Sequence, residues 1–169
     1  GPMARNLTAA IESIGRGSQI PVLFTAHSIP LSMAESSRYC SQLEEASRLV
    51  AEQAGTPNWK LVFQRRSGPP SQPWLEPDIC EAIRDLHAGG CREVVIAPIG
   101  FISDHMEVKF DLDTEAADVC QELGMRMVRA ATVGTEPEFV RAVRDLIAER
   151  AWGLAERPAL GQLPASHDV

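Results

Sequence analysis

Acidic side chains recur through Ser103-Asp104-His105-Met106-Glu107-Val108-Lys109-Phe110-Asp111-Leu112-Asp113-Thr114-Glu115 at a spacing that could gather a cation. At about 100° per residue, Asp104, Glu107, Asp111, Glu115 and Asp118 would fall within an arc of roughly 80° on one helix. Like charges four apart cost a helix a few tenths of a kcal/mol per pair. A row of them reads either as a solvated face or as a place where something cationic is expected. His105, beside the row, adds a nitrogen that can ligate a metal or carry a proton. The spacing is neither H-E-x-x-H nor cysteine-rich, so a zinc centre is not indicated. Carboxylates with few nitrogens suit a hard or borderline divalent ion that is held weakly and passed on.

Such a row acts only if the chain positions it. Pro98-Ile99-Gly100-Phe101 precedes it, and before that Glu93 to Pro98 reads as a buried strand. Three more apolar runs read the same way: Ile20 to Ala26, Trp59 to Gln64 and Arg126 to Ala130. Helices are expected at Leu7 to Ile14, about Ser36 to Ala54, Ile79 to Ala88, Asp104 to Leu123 and Pro137 to Trp152, several closed by glycine. Strands alternating with helices predict one α/β domain, a four-stranded parallel sheet flanked by helices. In such sheets function gathers where strand C-termini feed into loops.

Three loops therefore matter. The first strand delivers Ala26-His27-Ser28-Ile29-Pro30, with Pro30 pinning the turn. The second delivers Gln64-Arg65-Arg66-Ser67-Gly68-Pro69-Pro70 and ends in Pro73-Trp74-Leu75. The third delivers Gly100 to His105 and the acidic helix. One edge of the sheet would collect His27, His105 and a bank of carboxylates, with Phe101 and Trp74 as apolar walls. Arg65 and Arg66 could hold a carboxylate, since a guanidinium matches its geometry. Ser28 lacks a nucleophile elbow, and no loop carries a dinucleotide or nucleoside-triphosphate fingerprint. His87, near the end of its helix, reads as a partner for the helix C-terminus.

A net charge of −7 leaves no basic stripe to neutralise phosphates, which argues against general nucleic-acid binding. No apolar run approaches the ~20 residues that span a bilayer. Cys40, Cys80, Cys91 and Cys120 form no C-x-x-C pair and read as small buried hydrophobes, in keeping with a reducing, cytoplasmic setting. Residues 1–3 resemble a tag remnant, 4–19 a linker helix, 20–152 the α/β domain and 153–169 a loose tail rich in Pro, Gly and Ala.

Four of these motifs, in order and spacing, resemble the ferrochelatase family: Ala26-His27-Ser28-Ile29-Pro30, Gln64-Arg65-Arg66-Ser67-Gly68-Pro69, Trp74-Leu75-Glu76-Pro77, and Pro98 to Glu107 followed by Asp111-Leu112-Asp113. The resemblance spans roughly Ile20 to Ile147 and is closest in wording to bacterial members. It implies a chelatase-like (Rossmann/flavodoxin-like) fold and the C-terminal half of a two-domain enzyme that holds a porphyrin between its halves. It implies that ferrous iron is inserted into coproporphyrin III or protoporphyrin IX in heme biosynthesis.

By the same resemblance His27 is the pocket histidine that delivers metal or removes pyrrole protons, and Glu107 faces it across the macrocycle. Asp111 and Glu115 continue an acidic ridge on a locally widened, π-type helix, with His105 as a further metal ligand. Phe101, Ile102, Ser103, Ile29, Trp74 and Arg66 would contact the porphyrin. Arg65 stands where many members carry Ser. Iron is then a substrate, and no permanently bound cofactor is expected. An iron–sulfur cluster is not expected either, since no cysteine-rich extension appears before Val169. The expected partners are porphyrin, ferrous iron, and an N-terminal chelatase domain or a second copy of the chain, without nucleic acid or a membrane span. The other readings are a non-catalytic metal- or tetrapyrrole-binding module, or an excised folding unit, possibly a homodimer.

Overall fold

The computed structural model describes residues 1–15, 19–64 and 71–153. Four strands, β1 (Val22–His27), β2 (Trp59–Gln64), β3 (Glu93–Ala97) and β4 (Arg126–Arg129), form one all-parallel sheet in the order β2-β1-β3-β4. Helices α1 (Pro2–Ile14), α2 (Leu31–Glu35), α3 (Tyr39–Ala54), α4 (Ile79–Ala88), a π-helix (Val108–Ala116), α5 (Ala117–Glu122) and α6 (Pro137–Trp152) complete the described chain. The α/β expectation holds.

Side chains alternate across a strand, so a strand covered on both faces reads as a continuous apolar run. In β1, Leu23 packs with Val62, Ile96, Ile83, Val108 and Leu112 on one side of the sheet. Its neighbours Val22 and Phe24 pack with Leu7, Ile11, Ile14 and Ala51 on the other. The result is three layers, with α4, the π-helix and α5 on one face and α1 and α3 on the opposite face.

Three helix expectations change, one of them the acidic helix, which starts at Met106 rather than Asp104 and is π-helical over Val108–Ala116. The first helix begins at Pro2 rather than Leu7, and residues 2 and 3 belong to it. Proline is suited to this first turn, where its missing N–H has no helical partner to lose. With Leu7 fully buried, α1 is a covering layer of the domain as well as an entry segment. The second expected helix, α3, starts at Tyr39 rather than about Ser36, and a short helix, α2, fills Leu31–Glu35 in the stretch read as loop before it. Residues 154–169, expected as a tail, lie outside the described residues.

Candidate functional site

The chain runs from β1 to β2 on one side and then returns to place β3 on the other side of β1. The C-terminal ends of β1 and β3 therefore form the topological switch point, where loops diverge and leave a crevice. His27 ends β1 there. Glu107 follows β3 through a loop that stays close to β1: the Gly100 N–H donates to the Thr25 carbonyl at 3.0 Å. A Cβ on Gly100 would stand 2.6 Å from the Ala26 Cβ and 2.9 Å from its Cα, so only glycine fits this approach.

The loop brings the Glu107 carboxylate to His27, with Oε2 3.8 Å from Nδ1. The two groups face each other at a distance too long for a hydrogen bond. The His27 Nδ1 is shielded from solvent and has no hydrogen-bond partner. The backbone beneath it is fixed, because the Tyr39 hydroxyl donates to the His27 carbonyl at 2.8 Å. Ser28, next in the chain, is buried and donates to the Leu75 carbonyl at 2.9 Å, a structural duty.

The acidic row is split by the helix that carries it. The turn begins at Met106, and Val108–Ala116 is a π-helix, as the resemblance implied. Its wider i→i+5 turns abolish the single face expected of a straight α-helix. Asp111 is turned inward and buried, where the Gln64 amide donates to it at 3.4 Å. Glu115 is exposed further along. Asp104 precedes the helix and, with Asp113, is clasped by Arg129 and Lys109 away from His27. Burial alone would raise the Asp104 carboxyl, but Arg129, Lys109 and Thr132 outweigh it and hold it below the usual carboxylate range. His105 spends its Nδ1 accepting the Glu107 N–H at 3.3 Å, and its ring packs edge-on against Phe101 with centroids 5.1 Å apart.

Thus His27 and Glu107 come together, Asp111 is buried against Gln64, His105 touches the Glu107 backbone, and Glu115 is exposed further along the helix. Among the described residues no three His, Cys, Asp or Glu side chains converge into a preformed metal centre. Phe101 is packed in the core, which leaves Ile102, 61% exposed, as the apolar surface of that loop. Ser103 is exposed, and Ile29 and Trp74 are half-buried where the two loops meet; the Leu75 N–H donates to the Ile29 carbonyl at 3.0 Å. Arg65 and Arg66 lie outside the described residues. Burial pushes the Cys80 and Cys120 thiols up to about 11, but of the four cysteines expected to be buried only Cys120 is, with Cys40, Cys80 and Cys91 partly exposed.

Sequence reasoning passed over two polar residues near this pair. Gln64 closes the expected strand Trp59 to Gln64 and opens a loop motif, and its register opposite His27 places it on the same sheet face. Arg129 falls inside the expected strand Arg126 to Ala130 with no role of its own. Its one signal is a charge set between Val128 and Ala130 in a strand.

Comparison with known proteins agrees with this layout. The family profile described as Ferrochelatase matches residues 1–151. A ferrochelatase of Rhodopirellula baltica is 53% identical over 169 residues, covering 99% of this chain and 48% of that protein. The coproporphyrin III ferrochelatases of Streptomyces griseus and Streptomyces coelicolor are 42% and 47% identical, covering 99% and 88% of this chain and 50% and 44% of theirs. The chain thus spans about half the length of the curated relatives it matches. A profile match over nearly all the described residues and a relative 53% identical across the chain lead to one conclusion: this chain belongs to the ferrochelatase family.

Proposed function

We propose that the chain supplies the metal-inserting wall of a ferrochelatase, the C-terminal half of a cleft that puts ferrous iron into a porphyrin. The observation that carries this reading is the 3.8 Å approach of the Glu107 carboxylate to the unbonded His27 Nδ1 at the sheet's switch point. Insertion needs neither ATP nor a redox step. The free porphyrin gives up two pyrrole N–H protons as Fe²⁺ sheds water and takes their place, so charge balances with two protons released. A neutral imidazole accepts a proton from one face. A carboxylate beside it stabilises the resulting imidazolium, or takes the incoming metal and hands it on.

Asp111, inside the π-helix, and Glu115, further along it, continue the path for cations or protons away from the pair. Ile102, Met106 and Met33 are exposed apolar groups suited to a flat macrocycle. Coproporphyrin III is the substrate to test first, since several curated relatives carry that name. The four free cysteines fit a reducing, cytoplasmic compartment. No helix of the described residues is long and apolar enough to cross a membrane.

The test mixes anaerobic Fe²⁺ and coproporphyrin III with the chain alone, and with the chain joined to the complementary half of its Rhodopirellula baltica relative. Absorbance follows insertion and light scattering gives the mass. Insertion that requires His27 and Glu107 supports the reading. Porphyrin binding without insertion in the joined protein would leave a tetrapyrrole-binding module instead.

A further inference from the structure

We propose that Arg129 is a positioning residue that sets where Glu107 stands against His27. The inference rests on reading His27 and Glu107 as the working pair. Arg129 ends β4, two strands away from β1, and its side chain is only 12% exposed. Its Nη1 and Nη2 reach the two Asp104 carboxylate oxygens at 3.2 and 3.0 Å. Its Nε and Nη2 reach the two Asp113 oxygens at 2.5 and 3.1 Å. Nη1 also donates to the Ala130 carbonyl at 3.3 Å. One guanidinium thus grips two carboxylates through a fork geometry that lysine cannot reproduce.

The two carboxylates bracket Glu107, three residues before it and six after it. Between them lie the end of the loop, the first helical turn at Met106 and Glu107, and the start of the π-helix, a rare form. With both ends fixed to one rigid strand, the enclosed segment has a single reach across the sheet. That reach presents Glu107 to β1. Lys109 also bridges Asp104 and Asp113, at 3.2 and 3.3 Å, but it is half exposed and carries a flexible point charge. Thr132 adds a hydroxyl to Asp104 at 3.1 Å, so the clamp is anchored to the chain beyond β4 as well. Paired in this way, Asp104 and Asp113 are scaffold, and the acids left over are those that face His27 or line the helix.

The experiment measures the contact itself, without porphyrin or iron. Proton NOEs between the His27 ring and the Glu107 side chain are recorded for the chain and for its Arg129→Gln, Arg129→Lys, Asp104→Asn and Asp113→Asn variants, with amide spectra reporting the fold. In a folded Arg129→Gln chain the contact is expected to vanish, and Arg129→Lys should restore it only in part. Zn²⁺ titrations by calorimetry should weaken about tenfold in Arg129→Gln, to the level expected of Glu107→Gln, which removes the carboxylate.

A purely structural arginine would lower the melting temperature and leave both readouts unchanged well below melting; that result overturns the proposal. If Arg129→Gln does not fold, the two aspartate variants, each releasing one arm, decide the question. A contact retained at full strength in both refutes the clamp, and a contact weakened in both supports it. A wild-type chain that binds no Zn²⁺ counts against the metal-site reading, and the ring–carboxylate contact then decides the clamp by itself.

Discussion

At the residue scale, His27 and Asp104 make opposite demands on the protein. His27 has a third of its side chain exposed and an unbonded Nδ1, so its imidazole contributes little to folding. Replacing it with Ala should change stability by less than about 1 kcal/mol. The same change should reduce iron insertion by the joined two-half protein about 100-fold or more, the usual scale for losing a positioned acid–base group. Melting curves and absorbance assays on one preparation separate the two effects.

Asp104 is the reverse case, a carboxylate that serves the structure. Its folded-state pKa is depressed, so the stability it contributes is present above its unfolded value of about 3.9 and is lost as pH falls through the folded value. Asp104→Asn should therefore lower the melting temperature at neutral pH. It should also flatten the loss of stability seen on acidification below about pH 4. A variant curve parallel to wild type across that range would mean the carboxylate is not held by its partners.

At the element scale, the loop between β3 and the π-helix matters most. It can place Glu107 only by running against β1, and Gly100 makes that possible. A methyl group there must displace the Ala26 Cβ or the loop itself. Gly100→Ala should cost about 1–3 kcal/mol, as overpacking does elsewhere. It should also move Glu107 away from His27, so porphyrin metallation falls even at temperatures where the variant is fully folded. Denaturant titration and turnover together check both parts.

Helix α6 is an element of another kind. It has no buried residue, and Val140, Val143, Leu146 and Ile147 face outward. A 16-residue helix held by so little tertiary packing is marginal in water. Its amides should exchange with solvent at least about tenfold faster than those of α4, which buries Ile79, Ala82 and Ile83. Hydrogen-exchange mass spectrometry on the isolated chain reads this directly.

For the whole molecule, the decisive fact is that one wall cannot enclose a flat ligand. In the proposed cleft, Ile102 and Met106, 61% and 80% exposed, would offer apolar surface to one face of a macrocycle only. Each Å² left wet on the other face forgoes about 25 cal/mol. The isolated chain should therefore bind coproporphyrin III at least about 100-fold more weakly than the joined protein, measured by fluorescence quenching, and should turn over little. Burying a further ~110 Å² of apolar surface would already supply that factor at this rate. Equal affinities would show that the second wall is not needed. A twofold dimer is the one assembly of the chain alone that could cover the same surface, and light scattering run beside the titration would reveal it.

How far each scale could be read in advance follows from how local its causes are. Strand and helix placement was legible because burial on two faces writes continuous apolar runs, and caps write glycines: β2, α4 and α6 have the expected limits. The motifs around His27 and Glu107 were legible because loops at a parallel sheet's C-terminal edge carry chemistry. By itself the sequence determined an α/β chain of the ferrochelatase kind with a histidine and acids at one edge. Only the tertiary structure decided which acids serve which purpose. Periodicity assumes a uniform turn throughout, but Asp104 stays in the loop before the helix and the π-helix breaks the turn beyond it, so Asp111 goes inward while Asp104 and Asp113 meet Arg129. Arg129 lies sixteen residues from Asp113 and twenty-five from Asp104, so no local pattern could pair them. That pairing depends on β4 lying beside β3, a long-range contact that exists only once the sheet has formed.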